Sequence, residues 1–388
     1  MNKHLPTAPA RSARCVMISA GEASGDLHAA NLIRSMRKQW SDLFFCGIGG
    51  SAMREAGAKI IVDADQLSVV GITEVLARLP AILSGLDAAK KILLSRLPDI
   101  LILIDFPDFN FKLAAVAKQQ GIPVFYYITP QVWAWRKRRI YTIKKLVDRA
   151  AVILPFEADF FRQHGVPVSF VGHPLLDSGY EQPPPAVNIL PQLNQPIVGF
   201  LPGSRTREIK KLLPVMLTAA VSVGSQHDHV RFLVSRAPSV ASEVFDQIAE
   251  QFSGRVAFEV VTDKVDVILN QATLVVAASG TVALEAALTG TPMIVVYRVS
   301  ALSYWLGRLL VRLRHVSLVN LIAGKEVISE LLQGDATPES IATHVLTLLN
   351  DKDKLQHIRT ELLAVRRALG GSGASDRAAG IALEMLAL

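Results

Sequence analysis

The chain of 388 residues has only two cysteines, Cys15 and Cys46, and both lie in short apolar segments predicted to be strands. Two buried thiols fit a reducing cytoplasm better than a disulfide scaffold. Long hydrophobic runs are also missing. The longest candidate, residues 271–284, is interrupted by polar side chains and ends at Glu285, so the sequence predicts no transmembrane helix.

Two kinds of cofactor pattern are absent as well. Dinucleotide-binding folds place G-x-G-x-x-G after their first strand. Here GEASGD (21–26) has a different spacing, and GIGGSAMREAG (47–57) follows the second predicted strand. Acidic pairs occur at 63–65 and 351–353, but the first has no phosphate-binding pattern nearby and the second is typical of a solvated charge run. We therefore expect no cofactor and no required metal.

Half of the residues are hydrophobic, 19% are charged, and the net charge is +7. This positive balance favours an anionic partner, which could be nucleic acid, an acidic membrane face or a phosphorylated substrate. Charge alone does not choose among the three. Residues 1–14 are basic and polar without an apolar core, so they are predicted to be a disordered leader rather than a secretory signal.

Strand-like and helix-like segments alternate along two stretches of the chain, a pattern typical of doubly wound parallel sheets. We predict an N-terminal domain over 15–178, a proline-rich linker over 179–196, a second domain over 197–365, and a C-terminal helix over 366–388 that packs back on the first domain. The fold class is α/β, with two Rossmann-like domains facing a central cleft. The predicted strands are 16–19, 43–48, 100–105, 124–128, 151–155, 168–172, 197–202, 230–235, 256–261, 273–278 and 293–298.

The second domain has two candidate anion-binding turns. In LPGSR (201–205) a strand runs into a helix, whose first amides attract anions, while Arg205 adds a guanidinium suited to diphosphate. In SGTVALE (279–285) a helix begins after a tight turn, and Glu285 can accept hydrogen bonds from vicinal sugar hydroxyls. The alternatives are an ordinary turn and a surface glutamate. The candidate residues are Ser204, Arg205, Ser279, Gly280, Thr281 and Glu285.

Carboxylates mark the strand ends of the first domain. Glu22 lies in the glycine-rich AGEASGD (20–26), where Gly21, Ser24 and Gly25 suggest close backbone approach to a ligand. Asp105 ends a buried strand and is the candidate general base toward an alcohol. Asp108 is better explained as the N-cap of the following helix.

Tryptophan and arginine occur together in two segments, 126–145 and 303–327. Such mixtures suit a membrane interface, nucleic acid or a phosphorylated lipid, and their presence in both domains favours a membrane surface. The alternative is core tryptophans beside solvated basic helices. The candidate membrane or acyl-chain residues are Trp133, Trp135, Arg136, Arg138, Trp305, Arg308 and Arg312.

The motifs described above, in their order along the chain, resemble those of the bacterial lipid-A-disaccharide synthase family, whose members are inverting glycosyltransferases of GT-B architecture. The resemblance spans almost the whole chain, and AGEASGD together with VWAWR (132–136) is its most specific part. It implies transfer from UDP-2,3-diacylglucosamine to 2,3-diacylglucosamine 1-phosphate, giving the β-1,6-linked lipid A disaccharide 1-phosphate of Gram-negative lipopolysaccharide, and UDP. It also implies that Asp105 is the base, that Glu22 lies near the reacting centre, and that Asn320 is a further donor contact.

The resemblance further implies a cytoplasmic protein peripherally bound to the anionic inner membrane, with no nucleic-acid partner. The resemblance does not decide the oligomeric state, and a homodimer is one of the states that it allows. Two alternatives remain at this point: another UDP-sugar enzyme on the same fold, such as a 2-epimerase, and a non-enzymatic peripheral membrane protein.

Overall fold

The computed structural model describes residues 14–66, 72–180, 195–227, 229–298 and 314–387. The chain divides into two compact units. One comprises the residues up to Ser178 together with the segment from Gly370 onward, and the other runs from Gly179 to Leu369. Across the described ranges, no helix is both long enough and apolar enough to cross a membrane.

A seven-stranded parallel sheet forms the centre of the first unit, in the order β3-β2-β1-β4-β5-β6-β7. Its strands are β1 (Cys15–Ala20), β2 (Phe44–Gly49), β3 (Lys59–Asp63), β4 (Ile100–Ile104), β5 (Val124–Tyr127), β6 (Arg149–Val152) and β7 (Val168–Phe170). The strand β4 is buried at every position because helices cover both faces of the sheet.

Six helices of the first unit follow its strands: α1 (Ala23–Gln39), α2 (Ser51–Glu55), α3 (Ile72–Arg96), α4 (Pro107–Gln119), α5 (Arg139–Leu146) and α6 (Pro155–Gln163). On one face of the sheet, Met17, Leu101 and Tyr126 belong to a core shared with α3, α4 and α5. On the other face, Ile18 and Ile102 pack with α1.

The second unit is built on a six-stranded parallel sheet in the order β10-β9-β8-β11-β12-β13. Its strands are β8 (Ile197–Leu201), β9 (Arg231–Arg236), β10 (Glu259–Thr262), β11 (Leu274–Ala278), β12 (Met293–Tyr297) and β13 (Ser329–Leu332). Its helices are α7 (Thr206–Gly224), α8 (Ser242–Ala249), α9 (Val265–Gln271), α10 (Thr281–Thr289), α11 (Leu318–Ala323), α12 (Pro338–Leu349) and α13 (Lys352–Ala368).

The last helix, α14 (Ala374–Ala387), belongs to the first unit, where it packs against α1. Its N-terminus is held by Asp177, whose carboxylate accepts hydrogen bonds from the backbone N–H groups of Gly373 at 2.6 Å and Ser375 at 3.0 Å. The preceding helix, α13, lies in the second unit.

Both sheets have the strand order of a Rossmann fold, so the prediction of two doubly wound domains is confirmed. The structure adds β3 and β13, which the sequence analysis did not include. Each is at a sheet edge, where polar residues are tolerated and the continuous apolar pattern of an interior strand is lost. The strand predicted at 256–261 begins three residues later, at Glu259.

Strand order also decides where ligands can bind. In doubly wound sheets, ligands bind at the carboxyl ends of the strands, where the order reverses. In the first unit this point lies between β1 and β4, and in the second between β8 and β11. All four candidate segments, beginning at Gly21, Asp105, Pro202 and Ser279, directly follow one of these strands.

Candidate functional site

A pocket of about 290 Å³ lies at the β8/β11 switch point of the second unit. It is lined by the loop after β8, the loop after β11 and the start of α10. Six of the seven residues predicted to bind the donor line this pocket: Ser204, Arg205, Ser279, Gly280, Thr281 and Glu285. The sequence therefore identified six of the fourteen described residues that line the pocket, and the parallel sheet brings the two predicted turns together.

The anion-binding end of α7 is occupied by a carboxylate of the same helix. Glu208 accepts hydrogen bonds from the backbone N–H groups of Ser204 at 3.2 Å and Arg205 at 3.3 Å, and its other oxygen accepts from the Arg205 guanidinium at 3.2 Å. Gly203 has φ of 109°, and a Cβ there would lie 2.3 Å from the Glu208 carboxylate. The sequence analysis missed Glu208, although glutamate three positions after a helix cap is a recognisable capping-box signal.

Gly280 serves the pocket in a different way from the predicted one. Its φ of 163° and ψ of −162° are extended backbone that other residues adopt, so no tight turn requires glycine here. A Cβ built at Gly280 would meet no atom within 4 Å. The missing side chain keeps open the space in front of the α10 N-terminus, where Thr281 begins the helix.

Glu285 lies half-buried one turn into α10 and faces the pocket. The hydroxyl of Tyr180 donates a hydrogen bond to its carboxylate at 3.2 Å. Burial raises the pKa of Glu285, and the hydrogen bond from Tyr180 opposes that change. Sequence reasoning missed Tyr180, because the residue lies in a linker-like segment without periodicity.

Asn320 is not among the described residues that line the pocket, and its donor contact stays a prediction. Its buried carboxamide donates to the Ile328 carbonyl at 2.9 Å and to the Glu330 carboxylate at 2.8 Å. Its oxygen accepts from the N–H groups of Val327 at 2.8 Å and Ile328 at 3.1 Å. All of its hydrogen-bonding positions are thus used to join α11 to the segment before β13, which makes Asn320 a positioning residue.

In the first unit, Asp105 follows β4 in a left-handed backbone conformation, with φ of 45°. Its carbonyl accepts hydrogen bonds at 2.7 Å from both the Tyr126 hydroxyl and the Asn110 side-chain amide. Its N–H donates to the Ile128 carbonyl at 3.1 Å. Strained backbone persists where surrounding contacts determine it, and such positions concentrate at functional sites. The sequence analysis missed the supporting roles of Asn110 and Tyr126.

The electrostatic environment of Asp105 is that of a proton acceptor. Burial raises the pKa of its carboxyl, and the negative charge of Glu22 raises it further. Glu22 is exposed at the N-cap position of α1. A carboxylate with a raised pKa is a stronger base, so these two groups together suit proton abstraction.

The glycines of the loop after β1 serve packing. A Cβ at Gly21 would lie 2.4 Å from the ring of Phe106, and Gly25 is buried in α1 against Ala20 and Ile104. The structure thus gives both glycines a packing role, and their approach to a sugar stays a prediction. Ser24 is exposed in the first turn of α1 rather than in a loop.

Asp26 caps a helix, but not its own. Its buried carboxylate accepts hydrogen bonds from the backbone N–H groups of Gly50 at 2.6 Å, Ala52 at 2.9 Å and Met53 at 3.2 Å, at the start of α2. This contact fixes α2 and leaves Glu22 as the exposed carboxylate of the loop.

Two further predictions need correction. Asp108 is the second residue of α4, whose cap is Phe106, and its carboxylate instead forms ion pairs with Arg136 and Arg139. Trp133 is 7% exposed and donates through its indole nitrogen to Glu157 at 2.8 Å, so it is a core residue and not a membrane contact.

The remaining candidates for membrane contact divide into two groups. Trp135, Arg136 and Arg138 are exposed. Trp305, Arg308 and Arg312 lie outside the described residues.

Solved structures show the class of this fold. MurG from Acinetobacter baumannii aligns with a TM-score of 0.60 at 14% identity, covering 96% of this chain and 99% of its own. The UDP-GlcNAc 2-epimerase from Neisseria meningitidis, solved bound to UDP-GlcNAc, aligns with a TM-score of 0.59 at 13% identity, covering 96% and 99%. At these identities the likeness concerns the fold alone. Two Rossmann-like domains and these neighbours define the GT-B class.

Sequence comparison narrows this class to one family. Residues 16–385 match the model of the Lipid-A-disaccharide synthetase family. The lipid-A-disaccharide synthase of Syntrophus aciditrophicus is 46% identical over 97% of this chain and 98% of its own, and that of Nitrosococcus oceani is 44% identical over 97% of each. The chain belongs to the lipid-A-disaccharide synthetase family and is a glycosyltransferase. The epimerase alternative has only fold-level likeness behind it.

Proposed function

We propose that this protein transfers 2,3-diacylglucosamine from UDP to 2,3-diacylglucosamine 1-phosphate, forming the β-1,6-linked lipid A disaccharide 1-phosphate and UDP. The proposal rests on the different groups found at the two switch points. The second unit has a pocket lined by groups suited to bind an anion and a sugar. The first unit has Asp105, whose backbone is strained and whose carboxyl has a raised pKa suited to a base.

The second unit is proposed to bind UDP. Glu285 accepts hydrogen bonds from the ribose hydroxyls, while Arg205 and the first amides of α7 and α10 receive the diphosphate. As the bond between the sugar C1 and the diphosphate oxygen breaks, negative charge grows on the leaving group. Fixed donors at that position stabilise the transition state more than the ground state.

Asp105 is proposed to take the proton from the acceptor hydroxyl, whose oxygen then attacks C1 on the face opposite UDP. A single displacement inverts the anomeric carbon and needs only one base. Glu22 contributes in two ways: its charge raises the pKa of Asp105, and a carboxylate favours the positive charge that develops on the sugar ring. Ser24, exposed beside Glu22, is proposed to contact the acceptor.

Association with an anionic membrane surface is part of the proposal. Both substrates carry acyl chains, and a net charge of +7 favours an anionic surface. The test compares sedimentation with vesicles of phosphatidylglycerol and of phosphatidylcholine at low and high salt. Equal binding to both vesicles would contradict this part alone.

The activity is tested by incubating the full chain with both acylated substrates and detecting the disaccharide by mass spectrometry. The absence of product in every detergent would contradict the proposed function. Asp105→Asn should abolish turnover and leave UDP binding unchanged, because Asp105 and the UDP pocket lie in different units. Loss of UDP binding in this variant would show that the base assignment is wrong.

The pH profile gives an independent measurement of the same role. A base must be deprotonated, so kcat/KM should fall as the pH drops through the raised pKa of Asp105, above the ordinary aspartate value of 3.8. Asp159→Asn is the control. Asp159 is an exposed carboxylate of the same unit, and its substitution should leave the pH profile of kcat/KM unchanged.

A further inference from the structure

The loop between β5 and α5 places aromatic and cationic side chains beside the loop of the proposed base. It follows β5 at the carboxyl edge of the sheet, next to the loop after β4. The two loops are joined by the hydrogen bond from the Asp105 N–H to the Ile128 carbonyl at 3.1 Å. Whatever binds this loop is therefore held at the same sheet edge as the reacting hydroxyl.

Two guanidinium groups, that of Arg136 in this loop and that of Arg139 at the start of α5, already pair with a single anion. Arg136 lies 4.7 Å above the Trp135 ring, and Arg139 lies 6.0 Å from the same ring. The carboxylate of Asp108 forms ion pairs with both arginines. The side chains of Asp108 and Arg136 are 76% and 50% exposed, whereas that of Arg139 is 19% exposed, so solvent reaches the shared carboxylate mainly from the side of Arg136.

Buried contacts of Trp133 hold this loop in place. Trp133 donates to the buried Glu157 at 2.8 Å and packs edge-on against Phe156, with ring centroids 4.8 Å apart. Arg136 adopts a left-handed conformation, with φ of 55°. Arg136 lies three residues after the anchored Trp133, and strained backbone that is held by its surroundings is typical of functional positions.

The positive charge of the loop exceeds what Asp108 neutralises. Lys137 and Arg138 are exposed, and their side chains form no ion pair within the described ranges. Of the four consecutive cations at 136–139, Arg136 and Arg139 pair with Asp108, so one carboxylate is shared by two guanidinium groups. This excess suits a dianion with several acceptor oxygens, and planar guanidinium groups match the oxygens of a phosphate monoester.

We propose that Trp135, Arg136 and Arg139, here called the β5–α5 platform, bind the phosphate monoester of the sugar acceptor. This inference rests on the proposed function, in which the acceptor is a sugar 1-phosphate. The platform then distinguishes phosphorylated acceptors from neutral ones and orients the sugar so that its far hydroxyl approaches the Asp105 loop.

The test compares two acceptors, 2,3-diacylglucosamine 1-phosphate and its neutral 1-O-methyl analogue, in neutral detergent micelles without anionic lipid. The wild-type chain should prefer the phosphorylated acceptor by about 100-fold in kcat/KM, the range expected for charge-assisted hydrogen bonds. In the Arg136→Gln/Arg139→Gln variant that preference should fall below about 5-fold, because kcat/KM falls far more for the phosphorylated acceptor than for the neutral one.

Two controls make the result specific. The Lys144→Gln/Lys145→Gln variant removes the same charge from the last turn of α5 and should keep the full preference. The Arg136→Lys/Arg139→Lys variant keeps the charge without the planar fork and should have an intermediate preference. UDP affinity, measured by calorimetry, should match the wild type in all variants, and the free energy of unfolding in urea reports correct folding of the first unit, which contains the substitutions.

Three outcomes would overturn the inference. The first is full acceptor preference in the Arg136→Gln/Arg139→Gln variant, and the second is an equal loss with both acceptors. The third is loss of binding to phosphatidylglycerol vesicles with the acceptor preference retained, which would assign the platform to membrane phosphates. If the wild-type chain forms no disaccharide from the phosphorylated acceptor, the proposed function itself fails, which is a distinguishable result.

Discussion

Glu157 provides the most direct test of the energetics of this structure. Its carboxyl is buried, accepting hydrogen bonds from the Trp133 indole at 2.8 Å and from the Leu154 N–H at 3.1 Å. Burial raises its pKa from the ordinary 4.5 to about 7, against the opposing effect of these hydrogen bonds. The proposed perturbation is Glu157→Gln, which keeps the shape of the side chain and removes its charge.

The sign and size of the effect follow from proton linkage. Because the folded-state pKa of Glu157 is above its unfolded value, the folded chain binds more protons between pH 4.5 and about 7. The contribution of Glu157 to stability is therefore greatest below pH 4.5 and is lost as the pH rises through about 7. At about 1.36 kcal/mol for each pH unit, the loss is about 3 kcal/mol.

The assay measures the free energy of unfolding in urea from pH 4 to pH 8 for the wild type and for Glu157→Gln. The difference between them should change with pH by about 3 kcal/mol, in favour of the variant at high pH. The exposed Glu384 provides a control, because Glu384→Gln should show no such trend. The indole N–H resonance of Trp133, followed by NMR, should titrate with a midpoint near the same pH. A difference independent of pH, or an indole midpoint below pH 5, would refute the reasoning.

Two other predictions follow from hydrogen bonds in the second unit. Glu208 accepts hydrogen bonds from the amides and the guanidinium proposed to bind the diphosphate, so Glu208→Gln should tighten UDP binding by about 5- to 10-fold in calorimetry. Glu243→Gln, in the first turn of α8, is the control and should leave UDP binding unchanged. Weaker binding in Glu208→Gln would mean that the carboxylate supports the loop instead. Asn320→Ala should lower the free energy of unfolding by about 3 kcal/mol, because four buried hydrogen bonds are lost. A loss below about 1 kcal/mol together with weakened UDP binding would restore Asn320 as a direct contact.

Local sequence patterns predicted the interior of both sheets because interior parallel strands are apolar on both faces. The runs at Ile100–Ile104 and Leu274–Ala278 are buried at every position and carry that signal. The edge strands Lys59–Asp63 and Ser329–Leu332 contain charged residues and were missed. An edge strand needs only part of its surface buried, so its pattern is weaker.

The residues of the candidate site also divide into those with a local sequence signal and those without one. Arg205 and Glu285 were recognisable because turn and helix signals next to them place a charge at the end of a strand. Tyr180 reaches Glu285 from 105 positions away, and Asn110 reaches Ser19 across 91 positions. No local pattern specifies such contacts, since they depend on the order in which strands pair.

The sequence by itself determined the two doubly wound domains and identified six residues that line the pocket of the second unit, and it led to the proposal that Asp105 is the base. Each of these depends on a local pattern of apolar strands, turns and charges. Only the tertiary structure decided that Trp133 is a buried anchor, that Asn320 is a positioning residue, and that Glu208 fills the anion-binding end of α7. The physical reason is that exposure and hydrogen-bond partners are properties of packed neighbours. A tryptophan beside arginines has the same local sequence whether its ring meets a membrane or a buried carboxyl.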